Sequence, residues 1–126
     1  MKMILAIIRI AKMNETKQAL SDAGLPSFTA MGVFGRGKGR ALGPTYSELM
    51  SNPDNLEIIK ELGVEPRLKA KRMITLVVAD EKKEIAINTI IATNKTGNSG
   101  DGKIIVIEAL DSIRVRTGER GEITLD

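Results

Sequence analysis

The chain has 126 residues, of which 42% are hydrophobic, and its 19 lysines and arginines stand against 16 acidic residues, giving a net charge of +3. A chain of this length is expected to form one domain, residues 1–126, around one core. The sequence contains no cysteine and no histidine, which excludes disulfide scaffolds, thiol nucleophiles, Ser-His triads and the usual zinc sites.

The first part of the chain predicts a strand, a helix and a second strand. Residues 1–9 are predicted to form a strand, because residues 3–8 form a continuous apolar run, as expected of a buried strand. Asn14 is placed to cap a helix over residues 14–23, which Gly24 ends. One face of that helix carries Met13, Thr16, Leu20 and Ala23. A second strand is predicted at residues 26–34.

The last part of the chain predicts a strand, a helix and a strand. Residues 72–79 form the third strand, and Asp80 is placed to cap a helix that runs to about Asn94. Ile87, Ile90 and Ile91 of that helix are expected to face the core. The fourth strand starts at Lys103, and residues 112–116 form a short fifth extended piece. The order predicts an α+β fold of the ferredoxin-like split βαβ class (βαββαβ), with an antiparallel sheet and both helices on one face.

The connection between the second and third strands, about residues 35–71, is far longer than a usual hairpin loop. Loops of this length in compact domains are usually functional or disordered. Residues 51–63 carry the signals of a short amphipathic helix, which either folds back or meets a partner. We expect a protein-binding surface made of Tyr46, Met50, Leu56, Ile59 and Leu62.

Residues 96–103, which we call the cradle, combine three glycines with Asp101 and Lys103. Glycines let the backbone approach a ligand and direct N–H groups toward it, so the segment predicts a polyphosphate site. A Walker loop is not expected, because Ile104 stands where that motif needs Ser or Thr and a strand follows instead of a helix. A plain glycine turn with solvated charges is the alternative.

Two further segments bear on the same hypothesis. In an extended run of residues 112–116, Ile113 and Val115 would face the core, while Arg114 and Arg116 would project together toward an anion. Each charge-assisted bond to phosphate is worth about 1.5–3 kcal/mol. Residues 35–40 alternate glycine with cations, which fits either a flexible hinge or a phosphate contact.

Membrane and nucleic-acid partners are not expected. No apolar run approaches 18 residues and the first residues lack the pattern of a signal peptide, so we expect a cytoplasmic protein without membrane insertion. Charges of both signs are interspersed, and the only aromatic residues are Phe28, Phe34 and Tyr46. Recognition of single-stranded RNA needs aromatic platforms for base stacking, which argues against an RNA-binding module on this fold.

Five segments of the sequence resemble the PII signal-transduction family in order and spacing. They are residues 1–9, 28–29, 35–40, 96–104 and 113–119. The resemblance covers all but the interior of the long loop. It implies a homotrimer of ferredoxin-like subunits that binds ATP or ADP in three clefts between subunits.

The resemblance also assigns roles to individual residues. It implies one cleft wall made of Thr29, Gly35, Gly37 and Lys38, and another made of Gly100, Asp101, Gly102, Lys103, Arg114 and Arg116. Lys71 matches the family lysine that engages the carboxylate of 2-oxoglutarate. Gly39 stands where the family has a glutamine that helps hold Mg²⁺ and 2-oxoglutarate, so the binding of both is left open. Tyr46 lies in a different local context from the tyrosine that some members modify, so its modification is not assumed.

Residues 34–38 and 121–123 look most like the archaeal nitrogenase-associated branch, whose members act in pairs as post-translational switches on nitrogenase. The resemblance therefore implies a regulator that controls a target, a nitrogenase component, through its long loop, with a paralogue as a further partner. A regulator of an ammonium transporter is one alternative. Another is a slow ATP hydrolase or phosphotransferase, in which Asp101 would be the only nearby carboxylate. We predict no catalytic residue and no metal site.

Overall fold

The computed structural model describes residues 1–37 and 68–125, and it confirms the predicted order of six main elements. They are β1 (Lys2–Ile8), α1 (Met13–Asp22), β2 (Thr29–Gly35), β3 (Lys69–Val78), α2 (Lys83–Asn94) and β4 (Lys103–Glu108). Short 3-10 helices lie at Ile10–Lys12, Asp80–Lys82 and Glu122–Thr124.

The four strands form one sheet in the order β2-β3-β1-β4, and all three neighbouring pairs are antiparallel. At the centre of the sheet, Ile4 of β1 is paired with Leu76 of β3 and with Val106 of β4. Both helices contribute to a single core against this sheet. This arrangement is the split βαβ class that the sequence predicts.

The core lies between the helices and one face of the sheet. Successive strand residues point to opposite faces, so alternate β1 residues are fully buried while their neighbours are partly exposed. The buried apolar residues are Ile4, Ala6, Ile8, Leu20, Leu25, Ile74, Leu76, Val78, Ala86 and Ile90. Two polar side chains are buried with them: Asn94 Nδ2 donates to Thr16 Oγ1 at 3.0 Å, which links α2 to α1.

The opposite face of the sheet is also apolar, although no helix within residues 1–37 and 68–125 covers it. We call this surface the open face. By the strand register its apolar residues are Met3, Leu5, Ile7, Met31, Val33, Met73, Val77, Ile105 and Ile107, and Lys71 and Lys103 lie on the same face at the cradle end. Met31, Ile105 and Ile107 are each more than 40% exposed. A contiguous apolar surface of this kind indicates an interface with another protein chain.

The predicted helix caps are wrong. Asn14 lies inside α1, and Asp80 begins a 3-10 helix that leads into α2; neither helix has a side-chain cap at its start. The 3-10 helices bring the chain into each α-helix and take the place of a capping side chain. The Asp80 carboxylate instead pairs with the Met1 ammonium group at 3.1 Å. Gly24, with φ +81°, ends α1 as predicted.

Ile91 and the segment 112–116 also differ from expectation. Ile91 is 45% exposed, whereas Ile90 is buried and Ile87 packs against the core. Residues 112–116 do not form a strand. Ile113 makes an isolated bridge with Arg120, and the chain turns between them through a Gly118 N–H bond to the Arg114 carbonyl at 2.7 Å. Val115, expected in the core, is 99% exposed because it lies on this turn.

Several predictions fall on residues 38–67, which lie outside the described residues. They concern Lys38, Gly39, Tyr46, Met50, Leu56, Ile59 and Leu62. Within residues 1–37 and 68–125, no helix combines the length and apolar character that crossing a membrane requires.

Candidate functional site

Glycines and cations converge at one end of the sheet. In an antiparallel sheet, the end of one strand lies beside the start of its neighbour. The end of β1 therefore lies beside the starts of β3 and β4, and the cradle enters β4 at this point. Arg9, Lys71 and Lys103 are brought together there, with Gly35 at the end of β2 opposite Lys69.

The cradle backbone needs glycine at three positions. Gly97, Gly100 and Gly102 have φ of +87°, +95° and +120°, a region that side chains disfavour. At Gly102 the need is also steric, because a Cβ atom would lie 1.9 Å from the Ile7 carbonyl oxygen. The cradle therefore lies directly against the end of β1, and only glycine permits that approach.

Asp101 fixes the shape of the cradle from within. Its Oδ2 accepts the Thr96 N–H at 2.7 Å and the Gly97 N–H at 2.9 Å, while Oδ1 accepts from the Thr96 hydroxyl and the Arg9 guanidinium. The bonds from Thr96, followed by that from Arg9, hold the pKa of the Asp101 carboxyl well below its usual range. The carboxylate is therefore ionised and engaged on both oxygens, which suits a structural role.

Arg9 and Lys71 hold the cradle from the sheet side. Arg9 Nη2 donates to the Ser99 carbonyl at 2.9 Å, and Lys71 Nζ donates to the Gly100 carbonyl at 2.8 Å. Burial, and then the neighbouring charges of Arg9 and Lys69, lower the pKa of the Lys71 ammonium group. The like charges at this end of the sheet would be relieved by a bound anion.

Arg9 belongs to the site although no sequence motif indicated it. Its position in the sequence could have indicated this, because Arg9 is the first charged residue after the apolar run of β1. A charge at the end of a central strand must lie beside the turns that enter its neighbours. Its partner could not be inferred, since Asp101 lies 92 positions away and the strand order determines that they meet.

The remaining predicted site residues lie elsewhere in the chain. Thr29 begins β2, at the sheet edge away from β4. β4 carries the chain about 17 Å from Lys103 to the other end of the sheet, where the Ala109 N–H bonds the Met1 carbonyl at 3.1 Å. Arg114 and Arg116 follow from there. Within one chain, Gly35 therefore lies at the cradle end of the sheet. Arg114 follows β4 instead, and its Nη2 bonds the Ile123 carbonyl.

The C-terminal segment has its own internal structure. Arg114 Nη1 donates to Glu119 Oε1 at 2.8 Å and its Nη2 to the Ile123 carbonyl at 3.1 Å. The next arginine, Arg116, is exposed. Leu110 and Val115 are 94% and 99% exposed, which is unusual for apolar side chains of this size. This segment therefore offers an arginine together with apolar side chains that a second chain could cover.

Metal-binding side chains do not cluster in the described part of the chain: no group of three or more acidic, histidine or cysteine residues could hold an ion there. The cradle end of the sheet instead provides a glycine-rich turn and several cationic side chains. That chemistry suits an anion with several oxygens, such as a phosphate chain.

Comparison with known proteins shows what the chain is similar to. The family model described as "Nitrogen regulatory protein P-II" matches residues 1–119. The "Nitrogen fixation nifHD region glnB-like protein 2" of Methanococcus maripaludis is 44% identical over 125 residues, covering 99% of this chain and 100% of that protein. Its counterpart in Methanobacterium ivanovii is also 44% identical, over 122 residues and 97% of each chain. The "Nitrogen regulatory protein P-II" of Rhodobacter capsulatus is 36% identical over 124 residues, 97% of each chain.

Proposed function

The chain belongs to the nitrogen regulatory protein P-II family, and we propose that it is a homotrimeric switch that binds ATP or ADP in clefts between subunits and controls a target through residues 38–67. The family and the relatives' names support a nitrogen-regulatory signal protein. The nucleotide, the trimer and the target are our proposal.

The observation that carries the nucleotide proposal is the convergence of Arg9, Lys71 and Lys103 on a cradle that is already shaped by Asp101. A preformed turn does not have to be ordered when the ligand binds, so less binding energy is lost. Phosphate oxygens would accept from the cradle backbone and from Lys103, at about 1.5–3 kcal/mol for each charge-assisted bond.

Two features support a site that is shared between copies. β4 carries the chain from the cradle to the end of the sheet where Ala109 bonds Met1, and Arg114 then bonds the Ile123 carbonyl. We infer that Arg114 and Arg116 meet the phosphates of a nucleotide in the cradle of a neighbouring subunit, not of their own. The open face gives each subunit an apolar surface that a neighbouring copy would cover. The exposed Leu110 and Val115 would be covered in the same assembly.

The proposed output is a change in the long loop. Gly35 and Gly37 lead from β2, beside the cradle, into residues 38–67. A nucleotide that contacts the cradle and this strand end would favour one arrangement of the loop, and exchange of ATP for ADP would shift the population. The size of the shift is limited by the difference in binding energy between the two arrangements.

The relatives' names point to genes of nitrogen fixation, so we propose a nitrogenase component as the target. An ammonium transporter is the alternative, and a paralogue of this chain is a further candidate partner in the assembly.

Deleting residues 43–66 tests the loop's role. The shortened chain should still assemble and bind ATP, because the cradle lies outside the deletion, but it should no longer capture the target. Failure to assemble would instead make the loop a structural part of the trimer.

The structure argues against the alternative of a slow hydrolase. A general base must be free to accept a proton from water. Both Asp101 oxygens already accept hydrogen bonds, and its lowered pKa makes the carboxylate a weak base. We expect no turnover of labelled ATP above the background rate.

Calorimetry tests the nucleotide proposal. ATP and ADP should each bind with one site per chain, and Lys103→Ala should weaken ATP binding about tenfold or more through loss of a charge-assisted bond. Lys17→Ala, which removes an exposed lysine on α1, should leave the affinity unchanged. If ATP fails to bind the assembled wild-type protein, the proposed ligand is wrong.

A further inference from the structure

A groove of about 440 Å³ lies between α2 and β4, on the helix side of the sheet. It forms because α2 packs mainly on α1 and β1, which leaves the edge strand β4 partly uncovered. Its walls are apolar, with Ile87 and Ile91 on the helix and Ile104 and Val106 on the strand. Both its volume and its largely apolar lining are typical of sites for small organic molecules.

Asn94, one of the residues that line the groove, carries a buried polar atom without a partner among the described residues. Asn94 is 95% buried, and its Nδ2 donates to the Ile90 carbonyl at 2.9 Å and to Thr16 Oγ1 at 3.0 Å. These two bonds fix the orientation of the amide, because exchanging its nitrogen and oxygen would bring Oδ1 against the Ile90 carbonyl. Within the described residues nothing donates to Asn94 Oδ1. Buried acceptors are nearly always hydrogen-bonded, so this atom calls for a donor.

A cation borders the same groove. Lys95 follows Asn94 directly and is exposed, whereas Lys103, which is paired with Ile7, directs its side chain to the open face. The groove therefore combines apolar walls, one buried acceptor and positive charge. We propose that it binds a small amphiphilic anion whose apolar body contacts the isoleucines, whose N–H or O–H donates to Asn94 Oδ1, and whose acidic group lies beside Lys95.

This site does not depend on the proposed nucleotide. It meets the cradle only at its border, since residues 101–103 belong to both. A molecule in the groove would contact that segment from the helix side, so its binding would be linked to that of any ligand in the cradle. Such linkage is reciprocal: each ligand changes the affinity for the other by the same factor.

The probe for the test is 1-anilinonaphthalene-8-sulfonate, which has an apolar ring system, an N–H donor and a sulfonate, and which fluoresces in apolar surroundings. Titration of the full-length protein should give saturable binding with one site per chain. Ile91→Glu should weaken binding about tenfold or more, because it places a carboxylate on the groove wall. Lys95→Glu should also weaken it by removing the positive charge.

Ile85→Glu is the matched control, because Ile85 is on the same helix and 49% exposed but does not line the groove. Binding that resists Ile91→Glu, or that falls equally in the two variants, overturns the proposal. If Ile91→Glu does not fold, methyl NMR of the wild-type protein titrated with the same probe shows where the probe binds. Shifts at Ile87 and Ile104 support the groove, whereas shifts confined to Ile105 on the open face, or no saturable binding, overturn it.

Discussion

The Arg9 guanidinium donates to the Asp101 carboxylate across 92 positions of sequence and so ties the end of β1 to the cradle. The same arginine also donates to the Ser99 carbonyl. Asp101 in turn accepts two N–H groups of the turn. The backbone that is proposed to meet phosphate is therefore held in shape through one arginine and one aspartate, neither of which needs to touch the ligand.

Replacing Arg9 by glutamine should loosen the cradle without unfolding the chain. The substitution removes a charge-assisted bond to Asp101, and such bonds contribute about 1.5–3 kcal/mol. We expect the Gly97 N–H, which bonds Asp101, to exchange with solvent about tenfold faster. Lys12→Gln, which breaks a surface pair with Glu15, is the control and should leave this amide unchanged. Equal exchange in wild type and Arg9→Gln would show that Arg9 does not hold the turn.

Gly102→Ala should be strongly destabilising. The added methyl would overlap the Ile7 carbonyl oxygen at φ +120°, and relief requires movement of β1 or of the cradle. We expect a loss of about 3 kcal/mol or more in the free energy of unfolding, measured with denaturant. Gly118→Ala is the control that measures backbone strain without steric overlap, because Gly118 has φ +75° but open space around it. That variant should lose about 1 kcal/mol; similar losses in both would refute the steric argument.

The Asp101 carboxyl should contribute to acid sensitivity. Its folded pKa lies below the unfolded value of about 3.9. Its stabilisation is therefore complete above the unfolded pKa and is lost as the pH falls from there toward the lower folded pKa. Thermal unfolding of Asp101→Asn should show lower stability at neutral pH and a smaller loss on acidification than wild type. An unchanged profile in Asp101→Asn would contradict the assignment.

The open face should be the assembly surface. Ile105→Glu places a charge on that face, where Ile105 is 41% exposed in one chain, and a charge buried there without a partner is costly. Light scattering should show a trimer for wild type and for Ile85→Glu, and a smaller species for Ile105→Glu. A stable wild-type monomer at micromolar concentration, or a trimer that tolerates Ile105→Glu, would place the interface elsewhere.

The fold was largely predictable because its elements carry strong local signals. The apolar run of β1, the periodic face of α1 with Gly24, and the strand from Lys103 all give the correct elements. The failures have a common cause. The bond from Arg9 to Asp101 joins segments that are distant in sequence. The 3-10 starts of both helices and the turn at Gly118 depend on backbone geometry that local sequence patterns do not encode.

The candidate site shows the same limit. Cation and glycine content indicated an anion site, but strand alternation was the wrong basis for placing Arg114 and Arg116, because residues 114–118 form a turn. β4 then carries the chain from the cradle to the end of the sheet beside Met1 before these arginines follow. The separation could be recognised only when the path of β4 was known, and it is this separation that makes the proposed site depend on a second copy.

A mixing experiment tests that central claim most directly. Lys103→Ala and Arg116→Ala each remove one of the two parts of the proposed site, so each variant alone should bind ATP weakly at every cleft. Co-assembled in equal amounts, the two variants should regain wild-type affinity in about a quarter of the clefts. In those clefts an Arg116→Ala chain supplies Lys103 and a Lys103→Ala chain supplies Arg116. Calorimetry on mixed trimers, verified by native mass spectrometry, should show this fraction. Mixed trimers that regain no tight site would contradict a nucleotide site shared between subunits.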